Sequence, residues 1–111
     1  MVKKLIKNGQ LELLNGGWVA HDEADPNYED MINNMMIGHQ FIWKEFGVKP
    51  SIGWDIDTFG HSDTNNRLYA EMGFDAMFFS RLDRDEKDQR SRARAMTYLW
   101  RPGHNHFGNQ N

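Results

Sequence analysis

The sequence predicts an α/β fold with a mainly parallel sheet and helices on both faces. Short apolar runs of strand length alternate along the chain with longer segments whose apolar residues recur at spacings of three and four. Each strand-like run opens into a polar cluster, and glycines stand where helices should stop, at Gly9, Gly47 and Gly73. Strands joined through helices at this spacing call for right-handed crossovers and parallel pairing.

Val2, Leu5 and Ile6, interleaved with Lys3, Lys4 and Lys7, read as the closing turns of an amphipathic helix begun upstream and ended by Asn8-Gly9. Gln10 to Val19 carries Leu11, Leu13, Leu14, Trp18 and Val19 and is expected to form a strand whose tip is His21-Asp22-Glu23. Asp25 as N-cap and Pro26 at the first helical position start a long helix running to about Phe46. Its inner face takes Tyr28, Met31, Ile32, Met35, Met36, His39, Ile42, Trp43 and Phe46, with the methionines as core packing.

Val48, Pro50 and Ile52 lead a second strand into Gly53-Trp54-Asp55-Ile56-Asp57-Thr58-Phe59-Gly60-His61-Ser62, where Ser62 offers an N-cap for a helix to Met72. Phe74 to Ser80 is a third strand with Arg81 just past its end. Asp83 to Arg94, almost wholly charged, is a solvated helix or loop, and Met96 to Trp100 is a further strand before Pro102-Gly103. Parallel strands bind ligands outside their carboxyl ends, so His21, Asp22, Asp57, His61 and Arg81 are expected at one edge.

The composition bounds the function. A length of 111 residues with 39% hydrophobic side chains suits one globular domain. A net charge of -3, with basic and acidic residues interleaved, gives no attraction to nucleic acid or anionic lipid, and no apolar run is long enough to span a bilayer. With no cysteine, metal binding falls to His, Asp and Glu.

Several chemistries share Asp55-Ile56-Asp57. A calcium loop starting at Asp55 fails at its twelfth position, where Asn66 replaces the bidentate Glu. A phosphotransferase with an Asp nucleophile expects Thr at Phe59 and lacks a convincing lysine-bearing strand. A manganese-binding Asp-x-Asp is a short, common tripeptide. Plain structural roles also compete: Asp57 could serve the N-terminus of the next helix, and His61 could only anchor its turn. His104 and His106 have ligand-like spacing but sit in an open, glycine-flanked stretch.

The residues resemble the retaining α-mannosidases of glycoside hydrolase family 38, above all the lysosomal type. The resemblance lies in four blocks in family order: Leu11 to Val19 with Asp22-Glu23-Ala24; Gly53-Trp54, Ile56-Asp57 and Phe59 to Ser62; Met72 to Asp75 with Phe78-Phe79 and Arg81-Leu82-Asp83; and Leu99 to Pro102. It covers nearly the whole chain. It implies that residues 1–111 are part of a larger N-terminal (β/α) catalytic domain. It further implies that Asp57 is both catalytic nucleophile and zinc ligand, and that Arg81 binds substrate beside it.

The implied substrate is a mannose-containing oligosaccharide, and the implied location is the lysosome or secretory pathway. The family also allows a homo-oligomer of the full-length enzyme. The remaining zinc ligands and the acid/base carboxylate are expected outside this chain, so the 111 residues alone are expected to be inactive and to fold poorly. The competing expectation is a truncated, non-catalytic remnant with a binding or scaffolding role. Two positions depart from the family: Thr58 stands where proline is usual, and Asp55 replaces an uncharged or weakly basic residue. Strand alternation would set Asp55 and Asp57 on one side, predicting mutual repulsion and a weaker nucleophile.

Overall fold

A computed structural model describes residues 1–102. The elements in order are α1 (Val2–Lys7), α2 (Tyr28–Phe46), β1 (Ile52–Asp55), α3 (Asp63–Glu71), β2 (Ala76–Phe79) and α4 (Arg84–Arg92). β1 and β2 pair in parallel, with Ile52 opposite Ala76 and Asp55 opposite Phe79, and α3 lies in the crossover between them. This two-stranded parallel sheet is compatible with the α/β class expected, but among the described residues helix α3 covers one face only, where helices on both faces were expected. Tyr69 of α3 packs so closely over Gly53 that a Cβ there would meet its ring at 3.1 Å. The opposite face of the sheet, carrying the Trp54 and Phe78 rings 5.9 Å apart, is exposed among the described residues.

The helix boundaries follow local chemistry. α2 begins later than expected, with Asn27 as N-cap, and ends at Gly47, whose φ of 67° supplies the left-handed cap. Ser62 caps α3 by accepting the Asn65 amide, and Asp83 caps α4 by accepting the amides of Asp85 and Glu86. The charged Asp83 to Arg94 stretch is therefore a solvated helix, with Arg90 and Arg92 in its last turn favouring the dipole.

Two expected strands do not form among the described residues. Residues 10–19 form an irregular segment, because Asn15 (φ 58°) and Gly16 (φ 88°) leave extended geometry in its middle. Asn15 alone of the segment bonds β1 among the described residues, its main-chain amide donating to the Ile52 carbonyl at 2.7 Å and its side chain accepting from the Trp54 amide and donating to Asp55, each at 3.3 Å. The chain then turns across α2 instead of laddering along the sheet. Residues 96–100 are also irregular; there Tyr98 and Trp100 pack their rings against Phe79. His104 and His106 lie outside the described residues.

The crossing of α2 sets the core. Met31, Met35 and Gly38 form its buried stripe, which is narrower than expected: Tyr28, Met36 and Trp43, expected on the inner face, are exposed, because the crossing of residues 16–18 covers the helix only along that stripe. A Cβ on Gly38 would stand 2.0 Å from the Gly16 carbonyl oxygen and 2.6 Å from the Trp18 nitrogen, both backbone atoms. Gly38→Ala is therefore expected to destabilise by about 3 kcal/mol or more, because the backbone of residues 16–18 must move. Gly60→Ala, with open space around its Cβ, should stay within about 0.5 kcal/mol. Urea midpoints of the two variants check the pair, and equal midpoints would refute the close crossing.

Candidate active site

The site is built where the two strands end. β1 stops at Asp55, and the Thr58 hydroxyl donates to the Asp55 carbonyl at 3.1 Å, closing the turn. The chain beyond it presents Asp57, whose side chain is 84% exposed. Past the end of β2, Arg81 reaches back, and its Nη2 donates to Asp57 Oδ1 at 2.5 Å. The guanidinium also lies over the Phe59 ring, 4.4 Å from its centroid, and Phe59 is itself 85% exposed. Asp57 and Arg81 thus meet as the topology predicted. An ion pair this exposed contributes little to folding, so what it does is fix the orientation of two solvent-facing groups.

Asp55 does not share that environment. It is buried, and its carboxylate accepts the Tyr69 hydroxyl at 3.1 Å, the Asn65 amide at 3.4 Å and the Asn15 amide at 3.3 Å. Burial, reinforced by this carboxylate, holds the Tyr69 phenol well above the usual tyrosine range, so it remains a donor. The expected repulsion between Asp55 and Asp57 is corrected by this geometry. Regular alternation ends at Asp55, and the two carboxylates occupy different surroundings.

Beneath the surface pair runs a polar network centred on Asn65, which is fully buried. Its Nδ2 donates to Glu23 Oε1 at 2.6 Å as well as to Asp55, and its Oδ1 accepts from His21 Nε2 at 2.7 Å. Asn34 donates to His21 Nδ1 at 3.1 Å, which makes the Nε2-protonated neutral ring the tautomer that serves both neighbours. Glu23 Oε2 in turn accepts from His61 Nδ1 at 2.8 Å, and His61 Nε2 donates to the Arg81 carbonyl at 2.7 Å. Every buried side-chain nitrogen and oxygen among the described residues has a partner.

The structure therefore sorts the expected edge residues. Asp57, His61 and Arg81 come together; His21 is turned inward and joins them only through Asn65 and Glu23. Asp22 caps its own turn, accepting the amides of Glu23 and Ala24, and takes no part. His61 anchors its turn through both ring nitrogens, while Asp57 leaves helix capping to Ser62. Glu23, expected only as part of the polar tip after residue 19, and Asn65, not singled out by the sequence, join the site, although Asn65 shares the helical stripe of Tyr69 four residues on.

A cleft of about 730 Å³ opens beside this pair, lined by Phe59, His61, Arg81, Asp83, Glu86, Tyr98 and Trp100 among others. Its two carboxylates are engaged, Asp83 as the cap of α4 and Glu86 with Arg90 at 2.8 Å. A second cavity of about 480 Å³, behind β2, is lined largely by apolar residues such as Tyr69, Phe74, Met77 and Met96 and holds none of this chemistry. As to metal, no three His, Asp or Glu residues among those described lie together as a ligand set. Asp57 offers one carboxylate oxygen donor, and the described residues by themselves do not build a zinc site.

Comparison with known proteins matches this arrangement of blocks to one family. Residues 1–106 match the glycosyl hydrolases family 38 N-terminal domain. A lysosomal alpha-mannosidase of Dictyostelium discoideum is 46% identical over 101 residues, covering 91% of this chain and 10% of that protein. A probable alpha-mannosidase of Arabidopsis thaliana is 50% identical over 102 residues, and the lysosomal alpha-mannosidase of Bos taurus 43% over 103, each across 91% of this chain and 10% of the relative. The chain thus spans about a tenth of the length of these curated relatives. With the family's N-terminal domain matched over nearly all of its residues, the chain belongs to glycosyl hydrolase family 38.

Proposed function

We propose that these 111 residues serve as part of the catalytic domain of a retaining, zinc-dependent α-mannosidase acting on terminal α-mannosyl residues of glycans. The relatives' names carry the substrate class, and those called lysosomal suggest the lysosome as the compartment. No described helix is long and apolar enough to cross a membrane. The single observation that supports a chemical role is the Asp57–Arg81 pair: an exposed strand-end carboxylate with one oxygen fixed by a guanidinium, beside a cleft.

In this reading Asp57 attacks the anomeric carbon and forms a glycosyl ester, which water later cleaves. Holding Oδ1 on Arg81 sets the carboxylate's angle, and Oδ2 accepts no hydrogen bond from a described residue. Arg81, with further donors on its guanidinium, is placed to bind substrate oxygens beside the nucleophile. A retaining mechanism needs a second carboxyl group about 5 Å away as acid/base. Asp83 and Glu86 are already committed, so that group is assigned outside this chain, together with the zinc ligands other than Asp57. The isolated chain is accordingly proposed to be inactive.

The test is to trap the ester. The complete polypeptide carrying this segment is treated with a mannosyl fluoride whose second ring fluorine slows release, then digested and weighed by mass spectrometry. The expected result is one added fluoromannosyl mass on the peptide holding Asp57, the anomeric fluoride having departed. Continued turnover with the label on another carboxylate, or with no label, would overturn the assignment.

A further inference from the structure

We infer that His61, braced by Glu23, is a positioning residue that sets where Arg81 holds its guanidinium against Asp57. The inference rests on reading Asp57 and Arg81 as the substrate-facing pair, though its geometry stands independently. The turn of residues 57–61 meets Arg81 twice: Asp57 takes the guanidinium at 2.5 Å, and His61 Nε2 donates to the Arg81 main-chain carbonyl at 2.7 Å. These two contacts close a ring through the backbone from 57 to 61 and the Arg81 side chain. The guanidinium is then swung from a main-chain point tied to the same turn that carries its partner.

The tie is needed because β2 ends at Phe79 and α4 starts at Arg84, so Ser80, Arg81 and Leu82 belong to no regular element. The imidazole is itself well fixed. Its side chain is 9% exposed, its ring lies 4.5 Å from that of Phe79, and Glu23, only 1% exposed at its side chain, receives its Nδ1. Asn65 holds the other oxygen of Glu23 at 2.6 Å. Both ring nitrogens face acceptors, so the contact takes one proton at Nε2 for the Arg81 carbonyl and one between Nδ1 and Oε2. Neither proton reaches the cleft, which makes the role one of placement and leaves acid/base work to other groups.

The experiment compares His61→Gln with His61→Leu in the complete polypeptide carrying this segment, with arginine nitrogens labelled, since the two side chains are similar in size and only the amide can donate to the Arg81 carbonyl. Proton exchange at the guanidinium nitrogens of Arg81 is read by nitrogen-edited NMR, with Arg67, paired with Glu71 on α3, as internal control. Loss of one hydrogen bond should speed exchange at Arg81 in the Leu variant roughly fivefold over the Gln variant, with Arg67 unchanged. Equal Arg81 rates in the two variants would overturn the inference. So would a Leu variant in which Arg67 changes as much as Arg81, since that marks general unfolding. The readout needs no enzymatic activity, so failure of the hydrolase reading in the ester-trapping test stays separable from failure here.

Discussion

Replacing Asp57 by Asn in the complete polypeptide is expected to lower kcat/KM for an aryl α-mannoside by on the order of 10⁴-fold or more, the scale seen when a covalent nucleophile is removed. Folding should barely change, because the side chain is 84% exposed and its ion pair with Arg81 is screened by water. The Asn amide keeps an oxygen for the Arg81 donor, so the geometry of the turn survives while the negative charge and the attacking oxygen are lost. This separates chemistry from structure at one position.

A second variant sharpens the result. Asp57→Ala leaves room where the carboxylate stood, and added azide should restore turnover by attacking the anomeric carbon directly. The attack comes from the face opposite the departing group, so the product should be a β-mannosyl azide, identifiable by NMR. A loss of less than about tenfold in Asp57→Asn, too small for a nucleophile, would sink the assignment. An Asp57→Ala variant that hydrolyses at the parent rate would turn the reading toward a non-catalytic role for this segment.

What the sequence revealed was the part of the fold controlled by local chemistry. Ser62, Gly47 and Gly73 mark helix ends by capping or by left-handed backbone, and all act within a few residues of themselves. The meeting of Asp57 with Arg81 was legible too, because parallel pairing of β1 with β2 brings their carboxyl ends together. The irregular path of residues 10–19 was not. It depends on Asn15 and Gly16 adopting positive φ and on Gly38, twenty-two residues after Gly16, having no side chain at the crossing.

The same limit governs the site. Asp55 was read as a neighbour of Asp57 because alternation was extended past the last paired residue, whereas the strand stops there. Asn65 reads from sequence as an ordinary polar residue early in a helix. Its importance comes from Glu23, which is 42 residues away, and from Asp55, and no periodicity reports such a meeting. Polar residues on a buried helical stripe are the available signal, and Asn65 before Tyr69 was one.

That buried position yields the second large effect. Asn65→Leu, close in volume, should cost about 3–5 kcal/mol, the scale of breaking a buried charged network by removing one partner. The apolar side chain removes the donor from Glu23 Oε1 and Asp55 Oδ2 and the acceptor from His21 Nε2 in a single step. Each orphaned neutral group costs about 1–3 kcal/mol and a carboxylate more, while the extra burial of a leucine offsets roughly 2 kcal/mol. Since a domain of this size is stable by about 5–15 kcal/mol at most, the urea midpoint should fall steeply or the cooperative transition vanish. The loss should also spread outward. Glu23 would keep its contact with His61 but lose its brace, so Arg81 exchange should rise in this variant even where the chain remains folded. A midpoint shift worth under about 1 kcal/mol would mean that water replaces the amide at little cost, and that the network is not the closed structure described.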